Sequence, residues 1–460
     1  ENAAVSMENA TVDLRTGEVN VSEAVVSNAV RLDCSGNTSD TEALVLHLVV
    51  TPGHAGETFE AVALVNGKEY IFATVKAPSD GGIPAGKTVV VEGEATLDPE
   101  DALPVIDLSA EGTANTYYAD AANTFYRFRA DVKGNGKALT CGGLSYTEED
   151  LRIEPKAALV LWYSCLQTSY LPWIQASPVV LSSVKFKKDG YIYFDTPETF
   201  VNGNVVIVAI DKELGYDQIE ADADKRITNA EVLWSWNIVF SEGYDPDAAE
   251  NWIVKGGYTW MNRDLGALID PEQAYIGGQL NNVALASTTG NCYQWGRKDP
   301  FVGAKELGKD APIGGASETA AFGTQTAAYE KNTIDQTAYA FDVIGNDDNT
   351  ITDCVAYAVQ HPTTFIKYVV SVGNSGVSTW FNSDLSNFSD LWGAVSGRKS
   401  VYDPCPAGYK VPVDSAEAWG GFAKADVTSS AGSFGVTLNE AFYPCSGWRD
   451  VSGMLKQVGT

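Results

Sequence analysis

The sequence predicts a mainly β protein, and two observations carry that prediction. Short runs rich in Val, Ile, Tyr, Phe and Thr alternate with clusters of Gly, Asn, Asp and Pro, which is typical of antiparallel strands joined by turns. Helical periodicity is scarce throughout the 460 residues. A hydrophobic fraction of 45% is that of a globular chain, and its length suggests about three domains.

The first segment, residues 1–103, is predicted to be a β-sandwich that is incomplete at its start. Asn66 and Gly67 stand between two strand-like runs, and this dipeptide is a strong signal for a two-residue hairpin turn. The runs interpreted as strands are 43–50, 58–65, 69–75 and 87–97.

The second segment, residues 104–247, is predicted to be another β-sandwich. Its strand-length runs are again separated by turn residues. Trp162, Trp234 and Trp236 are expected to pack in its core rather than to serve as binding platforms. The runs fall within 124–136, 156–164, 178–197, 203–211 and 230–240.

The third segment, residues 248–460, is rich in Trp, Gly and Asn and contains long irregular stretches. One helix is predicted over 415–424. These features indicate a loop-dominated α+β domain that is held together by packed tryptophans.

The charge of the chain excludes some partners. Lys and Arg number 31 against 60 Asp and Glu, a formal net charge of −29. Such a surface repels phosphate backbones and anionic headgroups, so we expect no nucleic-acid partner. No apolar run reaches the length of about 18 residues that a transmembrane helix needs. The chain starts at Glu1 without a visible signal peptide, and we expect its natural start to lie upstream.

Five motifs in the third segment occupy, in this order, 258–267, 291–301, 390–393, 401–412 and 443–455. They resemble the C-terminal domain of Bacteroidetes surface proteins, the family named for the major paralogous domain of Fibrobacter succinogenes. Stretches of the second segment, such as FYRFRADVKGNG and VLWSWNIVF, look like the β-sandwich of fimbrillin-like proteins, and the first segment is similar to a fimbrillin β-domain.

The resemblance implies an exported protein at the cell surface, the outer membrane or a fimbrium, whose last domain has a C-type-lectin-like fold. It implies a non-enzymatic adhesin or a fimbrial tip or accessory subunit. The expected partners are a host or dietary glycan or a surface protein, together with other fimbrial subunits. Alternatives are a glycan-capturing lipoprotein for nutrient uptake, a structural stalk subunit, and a modifying enzyme similar to formylglycine-generating enzymes. The family continues beyond the position of Thr460, so C-terminal strands are expected to follow.

Cys405 lies between two prolines in the stretch KSVYDPCPAGYKVP, and it could be a reactive thiol, a metal ligand, a disulfide half or a buried residue. The seven cysteines and three histidines are scattered, without zinc-ligand spacing. The prolines on both sides indicate stiff scaffolding, which favours a structural role. If Cys405 is paired, its preferred mate is Cys445, because that motif is the next one downstream and also precedes a turn.

Calcium is the one cofactor that the sequence suggests. Asp347, Asp348 and Asp353 lie in the stretch GNDDNTITD and could supply hard oxygen ligands. Their spacing does not match an EF-hand loop, and a solvated loop is the alternative interpretation.

Two further groups have a binding and a structural interpretation. Arg297 could clamp a carboxylate or a sugar acid, or it could stack on a ring and pair with a core Asp. The same alternatives apply to Arg263 and Arg449. A second group, namely Trp380, Phe381 and Trp392, could form an aromatic sugar platform or part of a core.

Overall fold

The structure describes residues 104–165, 180–212, 231–270, 284–303, 351–366, 390–412 and 441–449, with gaps of one or two residues in some ranges, and shorter segments elsewhere. In this computed structural model, internal contacts divide the chain into two units, Glu1–Pro104 and Val105–Thr460. The described residues are mainly β, as the sequence predicts. Among them, no helix combines the length and the apolar character that crossing a bilayer requires.

The first unit contains antiparallel strands, and the longest two form the predicted hairpin. Its strands are β1 (Ser6–Glu8), β2 (Thr11–Val12), β3 (Val19–Asn20), β4 (Val25–Ser27), β5 (Thr58–Val65), β6 (Lys68–Lys76) and β7 (Thr96–Leu97). Val65 pairs with Lys68, so two residues separate β5 from β6, as the predicted hairpin requires. The strand predicted over 43–50 lies outside the described residues.

The first half of the second unit supplies most strands of its two main sheets. Its strands are β8 (Val105–Asp107), β9 (Thr116–Ala119), β10 (Phe125–Arg129), β11 (Leu139–Cys141), β12 (Leu144–Tyr146), β13 (Ala157–Cys165), β14 (Ser183–Phe186), β15 (Tyr191–Asp195), β16 (Gly203–Ile210) and β17 (Val232–Phe240). A short 3-10 helix follows at Ala249–Asn251. These strands confirm the runs predicted for the second segment.

The second half has shorter elements. They are β18 (Trp252–Lys255), β19 (Tyr258–Met261), β20 (Tyr275–Ile276), β21 (Gln279–Leu280), β22 (Cys292–Tyr293), β23 (Pro300–Phe301), β24 (Ala320–Ala321), α1 (Ile351–Gln360), β25 (Val427–Thr428), β26 (Gly435–Leu438), β27 (Ala441–Pro444), β28 (Trp448–Arg449) and β29 (Leu455–Lys456).

Two sheets of the second unit pack through aromatic side chains. Among the described residues, the larger sheet has the order β24-β13-β16-β17-β9 and the smaller one the order β14-β15-β10-β8. The rings of Phe128 and Trp236 meet at 5.3 Å between the sheets, and those of Phe194 and Phe240 at 5.7 Å. Trp162, Trp234 and Trp236 are all buried, as predicted. Truncating a buried tryptophan of this kind to alanine costs about 3–5 kcal/mol.

The larger sheet is covered on its other face by the third predicted segment. Every residue of β16 is buried, which requires cover on both faces. Asn204 of β16 donates its side-chain N–H to the Gly266 carbonyl at 2.8 Å, and Ser235 of β17 donates to Asp299 Oδ1 at 2.5 Å. Residues on both sides of the boundary predicted at 247 therefore belong to one unit.

Helix α1 occupies a stretch in which the sequence analysis predicted no helix. It buries Cys354, Val355 and Ala358, which lie on one face at helical spacing, in the same core as the main sheets. Asp353 is exposed in its first turn, where a carboxylate is stabilised by the helix dipole. The helix predicted over 415–424 lies outside the described residues.

Candidate ligand-binding site

A tight turn at Gln294–Arg297 presents Trp295 to solvent. The Arg297 N–H donates to the Gln294 carbonyl at 2.9 Å. Gly296 has φ +83°, and a Cβ added to it would lie 2.5 Å from a side-chain carbon of Leu391. Both the backbone conformation and the space therefore require glycine at this position.

The Trp295 ring and its backbone are held by two neighbouring tryptophans. It is 39% exposed, and its centroid lies 4.8 Å from that of Trp392 with an interplanar angle of 54°. Trp380 donates its indole N–H to the Trp295 carbonyl at 2.6 Å, and Trp392 donates to the Arg297 carbonyl at 3.1 Å. These contacts hold both the backbone and one side of the Trp295 indole.

Trp380 and Trp392 match the core interpretation of this aromatic group rather than the sugar platform. Trp380 and Trp392 are 5% and 7% exposed, so they are core residues and their faces are not open to a ligand. Phe381 lies outside the described residues. The exposed ring is Trp295, which the sequence analysis did not single out, although its position directly before an obligatory glycine is typical of a turn.

A buried ion cluster of Arg297, Lys298 and Asp299 fixes the turn to the larger sheet. The Asp299 carboxylate lies 2.5 Å from Lys298 Nζ and 3.4 Å from Arg297 Nε. Arg297 also donates to Gln294 Oε1 at 3.0 Å and to the His361 carbonyl at 2.9 Å. The guanidinium lies 5.0 Å from the Phe301 ring centroid. These contacts match the structural interpretation of Arg297 rather than the carboxylate clamp.

Burying the charges of this cluster costs free energy, because the charged groups lose their hydration. Loss of hydration lowers the pKa of both Lys298 and Arg297, while Asp299 opposes that shift. Lys298 also lies 4.5 Å from the Trp234 ring centroid, which adds a cation–π contact. Removing the Asp299 carboxylate would leave two buried cations without their counter-charge, so the turn depends on it.

Arg263 has a similar structural environment. Its guanidinium lies 3.4 Å from the Tyr244 ring centroid and donates to Ser241 Oγ at 3.0 Å. It also forms an ion pair with Asp270. The side chain of Arg449 lies outside the described residues.

Of the three suggested calcium ligands, the structure describes only Asp353. Asp347 and Asp348 lie outside the described part of the chain, and Asp353 is in α1 rather than in a loop. Over the residues that the structure describes, no group of three or more His, Cys, Asp or Glu side chains is arranged to hold a metal ion. Calcium at this stretch therefore stays a prediction.

The loop that contains Cys405 is organised around a fully buried carboxylate, that of Asp403. It accepts the backbone N–H groups of Cys405 and Val411, each at 2.8 Å, and the Lys399 ammonium at 2.9 Å. Lys399 also donates to the carbonyls of Cys405 and Tyr409 at 2.7 and 2.8 Å. Lys399 and Asp403 together thus satisfy backbone groups that the prolines prevent from forming a regular ladder.

Cys405 is a poor nucleophile in this environment. Burial and the neighbouring Asp403 carboxylate raise the pKa of its thiol well above the ordinary value, although Lys399 opposes the shift. Cys405 and Cys445, the pair suggested if Cys405 forms a disulfide, are both free cysteines in this structure. The residue after Cys445, Ser446, donates its hydroxyl to Asp264 Oδ2 at 2.7 Å.

Asn115 fastens the Cys405 loop to the sheets. It is 2% exposed, and its side-chain N–H groups donate to the carbonyls of Val401 and Asp403, each at 2.8 Å. Its Oδ1 accepts the indole N–H of Trp234 at 2.8 Å. A single side chain thereby joins β9, β17 and the loop, and no sequence pattern marked it.

No family model, no curated protein and no solved structure matches the chain.

Proposed function

We propose that the chain is a non-enzymatic binding protein of the bacterial cell surface, an adhesin or a fimbrial tip or accessory subunit, and that Trp295 is the platform on which it binds a glycan. The observation that carries the proposal is the Trp295 ring, which is 39% exposed and packs against Trp392. An aromatic face of this kind stacks on the C–H face of a sugar ring, and its rigidity lowers the entropy lost on binding.

The mainly β scaffold supports this proposal. Binding residues commonly lie on turns that a rigid framework positions, and the Trp295 turn is tied to the larger sheet through Asp299 and Ser235. The lectin-like fold and the two β-sandwiches that the sequence resemblance implies would serve the same display role. Fold alone does not decide function, so the proposal rests on the exposed ring.

The enzyme alternative has less support. A mechanism similar to that of formylglycine-generating enzymes needs a pair of active thiols, and Cys405 is held in a loop that raises its pKa. The charged groups nearest to it, Asp403 and Lys399, are engaged with the loop backbone.

A glycan array probed with the full chain tests the proposal. We expect selective binding that is lost in Trp295→Ala and retained in Trp448→Ala, a control at another exposed tryptophan, 52% exposed. Both variants are probed in calcium and in EDTA. Equal loss in both variants, or no binding by the unaltered chain in either buffer, would refute the glycan platform.

Comparing glycan binding in calcium and in EDTA tests the calcium prediction separately. Loss of binding in EDTA would support the stretch with Asp347, Asp348 and Asp353 as a calcium site, whereas unchanged binding would refute a calcium requirement. Antibody labelling of intact cells separates an adhesin from a lipoprotein for nutrient uptake, because fibres are decorated in the first case and the cell body in the second.

A further inference from the structure

The hairpin formed by β18 and β19 exposes one apolar face. Its two-residue turn, Gly256–Gly257, has φ values of +62° and +79°, which suit a tight hairpin. Trp252 pairs with Met261 and Val254 with Thr259, so these four side chains share a face, here called the hairpin face. Ile253 belongs to the opposite face and is buried at 4% exposure.

Two apolar side chains of the hairpin face are exposed to solvent. Val254 is 67% exposed and Trp252 is 39% exposed. Neighbouring apolar side chains that are exposed together in this way can form an interaction site. The side chains of Trp252 and Val254 are two residues apart on a strand, a spacing of about 7 Å that an extended partner segment reproduces.

An acidic turn borders this face directly. Trp252 donates its indole N–H to the Pro246 carbonyl at 2.8 Å, and Pro246 lies in the stretch that contains the exposed acids Asp245, Asp247 and Glu250, here called the acidic turn. Tyr409 also donates to the Pro246 carbonyl. Partial burial, and then the nearby Asp245 and Glu111 carboxylates, raise the pKa of Asp247, while a hydrogen bond from Tyr409 opposes the shift.

We propose that the hairpin face docks an extended basic segment of a partner protein, with its apolar side chains on the hairpin face and its lysine or arginine side chains on the acidic turn. Charge complementarity selects this occupant, because carboxylates border the apolar strip. A second copy of the chain is disfavoured, since it would bring another acidic surface from a chain of net charge −29 into contact with the acidic turn. The site is separate from the Trp295 platform and does not depend on it.

Fluorescence anisotropy of a labelled short peptide that alternates lysine and valine, titrated with the full chain, tests this docking. We expect saturable binding that weakens as salt increases. Val254→Ser removes an exposed apolar contact and should weaken binding about tenfold. The double variant Asp245→Asn and Asp247→Asn keeps the shapes of the side chains and should weaken binding to a similar degree.

Two matched control variants distinguish binding at the hairpin face from nonspecific attraction of the peptide to the chain. Ile106→Ser removes an aliphatic side chain that is 47% exposed elsewhere, and Glu148→Gln with Glu149→Gln removes two exposed charges elsewhere. Both controls should bind the peptide as the unaltered chain does. The proposal is overturned by absent binding, by equal weakening in the control variants, or by sedimentation that shows a dimer which Val254→Ser dissociates.

Discussion

Replacing Asn115 by alanine tests whether the Cys405 loop and the β-sheets form one cooperative unit. The substitution removes three buried hydrogen bonds, two to the carbonyls of Val401 and Asp403 and one from Trp234. At a net contribution of about 1 kcal/mol for each bond, the loss is about 3 kcal/mol. It increases further if the three abandoned groups stay dry, because each then carries its own desolvation cost.

Hydrogen exchange followed by mass spectrometry measures this loss at each end of the contact. If both segments open together, a destabilisation of about 3 kcal/mol raises the rate of amide hydrogen exchange in both about 100-fold. We expect peptides from β17 and from residues 401–409 to lose protection to the same extent. Urea unfolding followed by tryptophan fluorescence should shift by the same free energy in the transition of the second unit.

Asn202→Ala is the matched control. Its side chain accepts one exposed hydrogen bond, from the Glu242 N–H at 2.9 Å, so its loss should cost less than about 1 kcal/mol. If Asn115→Ala deprotected residues 401–409 while β17 kept its protection, the loop would be a separately docked element. The inference of one shared core would then be wrong.

Three other perturbations follow from single sites. Burial raises the pKa of Asp264 to about 6, so the folded state favours the protonated acid and stability is reduced as pH rises through that value. Asp264→Asn should therefore stabilise the chain at pH 7 to 8 by up to about 3 kcal/mol, with the gain vanishing near pH 4; a gain independent of pH in urea titrations would contradict this. Gly296→Ala should cost about 2–4 kcal/mol, because it adds contact with Leu391 to the strain of a positive φ. Gly408→Ala, at φ +77° with nothing within 4 Å of the added Cβ, isolates that strain, and equal denaturation midpoints for the two variants would refute the steric account. Iodoacetamide should modify Cys405 slowly at pH 8 in the folded chain and rapidly in urea, as mass spectrometry of its peptide reports; rapid modification of the folded chain would contradict the raised thiol pKa.

The strands of the two main sheets were predictable because they depend on local patterns. The runs that contain β13, β16 and β17 have strand length, and the Asn66–Gly67 dipeptide specifies a hairpin without help from distant residues. The continuous apolar character of β16 also carried a signal that the analysis did not use. A strand that faces water on one side alternates, whereas β16 does not, because it is covered on both faces.

The candidate site was less predictable because exposure is decided by packing between distant segments. Trp295 and Trp392 are each followed directly by a glycine, yet one is 39% exposed and the other 7%. Helix α1 was missed because the acidic stretch before it suggested a metal-binding loop. Its apolar residues are stabilised as a helix by the core that they join.

By itself, the sequence determined the mainly β class, the positions of the longer strands, the hairpin turn and the acidic charge, since each follows from neighbouring residues or from composition. Tertiary structure alone decided that the third segment covers the larger sheet, that Asn115 joins the Cys405 loop to β17, and that Cys405 and Cys445 stay unpaired. Asn115 and Asp403 are separated by 288 residues along the chain, and their hydrogen bond forms only when packing brings the two segments into contact.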